Sequence, residues 1–412
     1  MKRAILFILL ISIICAGCTG CALRVIAADC LSDGYVSGLS GDPGSVEGKD
    51  AADAGDFALE LLRQNYAAGD NVLLSPLSVL AALSMTANGA KGQTLSQMEQ
   101  TLGFELDELN RFFRSYLDAL ATPDSKLRLA DSVWFSNRGG FTVNKDFLQT
   151  NADYYGADIF SAPFDEGTLK DINSWVSRKT NGMIENILDE IPVNAVMYVI
   201  NALAFEAEWE ETYDSNQIFD GVFTTAGGNE RTATFMHSDE HLYLQDEGAS
   251  GFVKYYSGGR YAFAALLPDE GVSTEEYLST LTGEKLLKML QDPTRATVVV
   301  SMPKFEVRFK ADLAQVLKKM GMSDAFDEAK ADFTGLGQLQ GANVYIGRVL
   351  HETFISVAEK GTRAGAATAV EMVGKAAPGD QYYVTLDRPF IYLLFDTQTQ
   401  IPFFIGTLAD LS

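Results

Sequence analysis

The chain has 412 residues, 47% of them hydrophobic, and a formal net charge of −23. That length supports one large domain or two ordinary ones around a sizeable core. The acidic balance argues against nucleic acid or an anionic lipid surface as a partner, and the lack of any repeat of tens of residues sets aside solenoids and propellers.

Lys2 and Arg3 precede an apolar run from Ala4 to Cys15, followed by small residues. This is the pattern of an export leader, too short for a confident membrane span. All four cysteines (Cys15, Cys18, Cys21 and Cys30) fall within the first 30 residues, so the rest of the chain has neither a disulfide framework nor a thiol nucleophile. Ala-Gly-Cys18 and Thr-Gly-Cys21 each resemble a bacterial-type lipoprotein processing site, which makes Cys18 and Cys21 candidates for lipidation. Both carry Cys where an aliphatic residue is usual three positions earlier, and plain secretion with cleavage near Ala27-Ala28 is the equal alternative. Residues 1–30 are therefore expected to be an export segment. The protein is expected outside the cytoplasm, secreted or lipid-anchored, with no other attachment to a membrane. From Leu31 to Lys49 a Gly-, Ser- and Asp-rich stretch reads as a flexible linker, and the domain is expected over 50–412.

Ala54 to Ala67 has a helical apolar face, closed by Gly69-Asp70. In Asn71-Val-Leu-Leu-Ser-Pro-Leu-Ser78 a short strand ends at Ser75, and Pro76 starts a helix to about Asn88 that is apolar almost all round and should be buried. Leu127 to Phe135 reads as a strand, Asn144 to Tyr155 and Leu169 to Thr180 as helices. Ala195 to Phe205 is a nearly continuous apolar run, the pattern of a strand covered on both faces. Tyr261 to Pro268 and Ala296 to Pro303 read as strands with a helical pattern from Ser273 to Gln291 between them, and Asp312 to Met320 as a short helix. Asn343 to Ala358 and Gln381 to Phe395 are β-rich, and Phe403 to Gly406 closes the chain as a strand. Without a regular βαβ rhythm, the pattern predicts a mixed-sheet α/β or α+β domain.

The chemical motifs are sparse. There is no phosphate loop, no G-x-S-x-G, no H-E-x-x-H and no paired CxxC. Of the three histidines, His237 and His241 stand four apart, a spacing that could hold a metal from a helix, but their neighbours read as a turn into a strand and exposed polar residues are the expectation. His351 follows Leu350 in a strand with no nucleophile to serve. Its ring is expected to be satisfied by buried polar partners, with Ser75, Ser78 and Asn201 as candidates. Function should then lie in binding or conformational change, with no metal and no cofactor required.

The segment Asn71–Ser78 resembles the N-[IV]-x-x-S-P-x-S motif of the serpins, a family of serine protease inhibitors. Further likeness runs in the family's order through Ile172-Asn-Ser-Trp175, Thr180-Asn-Gly182, Asn201 with Phe205 and Trp209, Met302-Pro-Lys-Phe305, Leu317 to Phe333, His351-Glu-Thr-Phe-Ile355 and Asp387-Arg-Pro-Phe390. The resemblance implies three β-sheets with eight to nine helices and an exposed reactive-centre loop over about 359–380. It also implies a shutter at Ser75, Ser78, Asn201 and His351, where strands of the central sheet part, and a breach at Trp209, above that opening.

By the same resemblance the loop is a bait. A protease cleaves it, the freed part enters the central sheet as a strand, and the acyl-linked protease is dragged along and trapped. The scissile bond is expected seventeen residues along, counting Glu359 as the first, at Lys375-Ala376, and a lysine there suits a trypsin-like serine protease by direct charge pairing; Met372 and Val373 offer neighbouring bonds. Strand alternation from Thr362 puts Thr362, Ala364, Ala366, Thr368, Val370 and Met372 on one face, all small or uncharged. Arg363 and Glu371 both fall on the other, so a slip of one residue would bury charge. The hinge (Glu359, Gly361, Thr362, Ala364, Ala366, Ala367) lacks the bulky, charged or proline residues often found inward in non-inhibitory members. The expectation is a monomeric, irreversible suicide-substrate inhibitor of serine or cysteine proteases, not an enzyme. The alternative is a non-inhibitory serpin acting as a binding or carrier module.

Overall fold

The computed structural model describes residues 28–120, 126–192, 195–339, 343–362 and 380–411. Among them are nine α-helices: α1 (Gly48–Asn65), α2 (Pro76–Ala87), α3 (Gly92–Leu102), α4 (Leu106–Leu120), α5 (Lys145–Tyr154), α6 (Glu166–Lys179), α7 (Thr274–Thr280), α8 (Gly283–Gln291) and α9 (Ala314–Met320). In α2 every residue from Pro76 to Ala87 is buried, as its all-round apolar sequence requires. The helical pattern over 273–291 divides in two, because Leu281 is extended and Thr282 caps α8 by accepting from the Lys285 N–H. Helices α1 and α8 approach so closely that a Cβ on Gly283 would stand 1.9 Å from the Ala52 carbonyl oxygen.

The first sheet has the order β1 (Asp29–Cys30), β5 (Asp158–Ala162), β3 (Leu127–Ser136), β6 (Met197–Phe205), β15 (Arg348–Ala358), β16 (Gly361–Thr362) and β7 (Ala207–Glu208), with β13 (Phe305–Asp312) on the other side of β15. The second runs β17 (Gln381–Thr385), β12 (Thr294–Pro303), β9 (Glu230–Asp246), β10 (Ala249–Tyr255), β11 (Tyr261–Pro268), β18 (Phe390–Asp396), β19 (Pro402–Leu408) and β2 (Val72–Leu74), with β8 (Ile218–Thr224) beside β9. A small third sheet joins β4 (Thr142–Val143) to β14 (Gly337–Gln338). The expected β-rich run over 381–395 is thus two strands with different neighbours, β17 on β12 and β18 between β11 and β19.

One large core lies under the first sheet and against the second, with α2 inside it, and includes Val199, Leu203, Val349, Ile355 and Val357. A smaller core on the outer face joins Trp134, Phe160, Tyr198 and Ile200 to Ile172 and Trp175 of α6. The two faces of each strand therefore serve two apolar layers, which explains the unbroken apolar run of β6. The stretch expected as a flexible linker over 31–49 is tethered to the surface. Leu31 donates to the Ile159 carbonyl at 2.7 Å, Gly38 to Asp153 at 2.7 Å and Ser115 to the Pro43 carbonyl at 2.7 Å, and its last residues, Gly48 and Lys49, open α1. Its polar composition marks an exposed path, and the backbone bonds that hold it come from residues far along the chain. No helix among the described residues is long and apolar enough to cross a membrane.

Candidate functional site

The four polar residues expected to share a site do so. Ser75 ends β2 and precedes α2, Ser78 sits in the first turn of that helix, and Asn201 and His351 are direct neighbours across the parallel pair β6–β15. All four are buried. The Ser75 backbone N–H donates to His351 Nε2 at 3.1 Å, and His351 Nδ1 lies 2.7 Å from Asn201 Oδ1. Ser78 Oγ donates to the same Asn201 oxygen at 2.9 Å. Since that oxygen only accepts, the imidazole is neutral with its proton on Nδ1, and both ring nitrogens are used. Burial holds the His351 pKa down at about 3.

A fifth residue completes the cluster. Asp131 of β3 is the cross-strand neighbour of Asn201, and its Oδ1 accepts from Asn201 Nδ2 at 2.8 Å. Burial raises its carboxyl well above the usual range, with the Asn201 bond opposing. Asp131, Asn201 and His351 thus stand in line across three strands. The signal for Asp131 was an acid inside a strand, in Leu-Arg-Leu-Ala-Asp-Ser-Val-Trp.

Above this cluster the sheet forks. Direct pairing of β15 with β6 runs from Arg348–Tyr198 to Glu352–Ala202. Higher up, β16 stands between the strands, with Thr362 paired to Val357 and Ala207 and Gly361 to Ala358 and Glu208. Gly361 has φ of +145°, and a Cβ there would lie 2.1 Å from the Ala207 carbonyl oxygen, so only glycine fits this entry. Thr362 is buried, and its hydroxyl lies 2.5 Å from the Tyr256 hydroxyl, the partner that its burial requires. Glu359 pairs with Lys304, whose hydrogen bond holds the Glu359 carboxyl below its usual value.

Trp209 locks the same corner. Its Nε1 donates to the Ala358 carbonyl at 2.8 Å and its backbone N–H to the Lys360 carbonyl at 2.9 Å. Its ring stacks on Tyr256 at 4.3 Å, and the buried Lys254 ammonium, paired with Glu240 at 2.7 Å, lies 5.6 Å from its centroid. The tryptophan and the start of the loop are therefore one unit, and this contact between distant segments had no local sequence signal.

Ala364, Ala366, Ala367, Lys375 and Ala376, expected as hinge and scissile bond, lie outside the described residues, as do Cys18 and Cys21. His237 and His241 both lie in β9, which excludes their sharing a helical face, and among the described residues no group of His, Cys, Asp and Glu is placed to hold a metal ion.

The serpin (serine protease inhibitor) family model matches residues 52–411. Serpin B6 of Pongo abelii is 30% identical over 371 residues, 86% of this chain and 98% of that protein. The crystal structure of a thermophilic serpin, tengpin, in its native state superposes with a TM-score of 0.89 at 43% identity, over 94% of this chain and 100% of that one. Its latent state gives 0.79 at 44% identity, over 90% and 100%. Thyroxine-binding globulin, solved in complex with thyroxine, shares the fold at 24% identity, TM-score 0.77, over 88% and 100%. A family match over most of the length, together with a sheet forked above a buried Ser-Ser-Asn-His cluster, shows that this chain belongs to the serpin family.

Proposed function

We propose that this serpin is a single-use inhibitor of a trypsin-like serine protease, cleaved at Lys375-Ala376 and trapping the enzyme by inserting the freed loop between β6 and β15. The observation that carries the reading is the hinge register. Thr362 already pairs with Val357 on one side and Ala207 on the other. Continued downward as an antiparallel strand, that register sets Ala364 beside Ile355 and Phe205, Ala366 beside Thr353 and Leu203, Thr368 beside His351 and Asn201, and Val370 beside Val349 and Val199. Those neighbours are buried on the core face, so every inward loop residue is small or apolar, except that the Thr368 hydroxyl meets the polar cluster. On the outer face the same register sets Arg363 beside Glu206 and Glu371 beside Arg348, both of opposite charge.

In the proposed reaction the protease serine hydroxyl adds to the Lys375 carbonyl. The bond to Ala376 breaks, the new amine leaves with a proton supplied by the protease's own base, and Lys375 remains as the acyl ester. A cysteine protease would form the thioester. Insertion then outruns hydrolysis, with the new strand's ladder as its driving force. The reading that residues 1–30 are an export segment, with Cys18 or Cys21 as anchor or removed with the leader, supports a trap acting outside the cytoplasm, and mass spectrometry of the mature N-terminus distinguishes the two.

Incubation with trypsin followed by denaturing electrophoresis tests the proposal. A covalent band at the summed mass less the released fragment from Ala376 to Ser412, lost in Lys375→Ala, is expected. Loop cleavage with no complex would overturn it and leave the carrier reading.

A further inference from the structure

On the outer face of the sheet, opposite the side on which His351 is buried, a cleft of about 520 Å³ opens between the segment that follows α6 and the strand pair β13–β15. Its floor consists of directly paired residues, Arg308 with Phe354 and Glu306 with Ser356, with Glu352 next along β15. The Arg308 guanidinium donates to Glu352 Oε1 at 3.0 Å and lies 5.0 Å from the Phe354 ring centroid, and Ser356 donates to Glu306 at 2.7 Å. Glu185 lines the opposite wall.

Two features point to a ligand. The Glu352 side chain is only 5% exposed, yet its Oε2 has no hydrogen-bond partner among the described residues. A buried carboxylate oxygen left without a donor is costly, and a donor brought by a ligand recovers that cost. Among the described residues the cleft also holds three carboxylates (Glu185, Glu306 and Glu352) against one guanidinium, Arg308, which already bonds Glu352 through its other oxygen. Among these lining residues the missing charge is positive, which suits an ammonium or guanidinium head. The volume is in the range of small-molecule sites.

We propose that this cleft binds a small organic cation bearing an ammonium or guanidinium group, its head on Glu352 and Glu306. Such an occupant would tie the segment after α6 to β13 and β15. The inference rests on the cleft alone and does not depend on inhibitory activity.

Titration calorimetry of the intact protein with agmatine at low ionic strength tests it. One saturable site is expected, and Glu352→Gln and the exposed Glu306→Gln should each weaken it about tenfold, the scale of one charged hydrogen bond. Glu306→Gln keeps the test sound where Glu352→Gln disturbs folding. Glu270→Gln, on a remote exposed turn, should leave the affinity unchanged. No saturable binding, or equal weakening by Glu270→Gln, would overturn the proposal, since either result reduces it to general attraction by a chain of charge −23.

Discussion

His351 is the residue whose state the buried Ser-Ser-Asn-His cluster constrains most. Its Nε2 accepts a backbone N–H and its Nδ1 faces an acceptor oxygen, so a second ring proton has no place to go. Because its pKa falls from 6.5 unfolded to about 3 folded, its contribution to stability is present above pH 6.5 and lost as pH falls toward 3. Chemical unfolding at about pH 4 should show wild type weakened by on the order of 3 kcal/mol relative to neutral pH, and a His351→Gln variant should lose much less. Asp131 has the opposite sign: a carboxyl raised in the fold stabilises most below 3.8 and less as pH rises through its folded value. Asp131→Asn should therefore raise the unfolding midpoint more at pH 8 than at pH 5. At Gly361 the positive φ and the 2.1 Å approach to Ala207 leave no room for a methyl group. Gly361→Ala should lower native stability by about 1–3 kcal/mol, read from the urea midpoint.

At the scale of elements, the proposed insertion starts from β16, whose two residues already pair on both edges. An inward charge further along should stop the proposed insertion while leaving cleavage intact. Ala366→Glu should raise the moles of inhibitor consumed per mole of protease about tenfold or more, because a carboxylate would enter the apolar face beside Thr353 and Leu203. Arg363→Gln, on the outer face, should change that ratio little. Unchanged consumption with Ala366→Glu would break the register argument. Elements with a strong local pattern were readable from the chain. Tyr261–Pro268 is a strand over the expected residues, and the Pro76 helix begins where proline at its first position places it. Elements set by distant partners were not. The exposed edge strand β8 has mixed polarity and exists through its ladder with β9, and the polar stretch over 31–49 is held by residues more than seventy positions away. In the site, the grouping of Ser75, Ser78, Asn201 and His351 was expected from the motif resemblance. Asp131, and Tyr256 as the partner of Thr362, required the cross-strand register.

For the whole molecule, the proposed trap requires a sheet with room for one more strand. Among the described residues, the β1–β5–β3–β6 side, with α6 packed on it, pairs directly with the β15–β13 side below the fork, at Arg348–Glu352 against Tyr198–Ala202. In the proposed insertion, parting them breaks five residue pairs and a full inserted strand would make new ladders on both edges, so the proposed exchange would favour insertion once cleavage frees the loop. Gln381 is fixed where β17 pairs with β12 in the second sheet, and in the proposed mechanism this tether would oppose insertion of an uncleaved loop. The most direct measurement is thermal unfolding of the intact protein against the same protein cleaved within residues 363–379 by a protease that is then removed. The account predicts a cleaved form with a much higher midpoint, and a cleaved form that unfolds at or below the intact midpoint would contradict it.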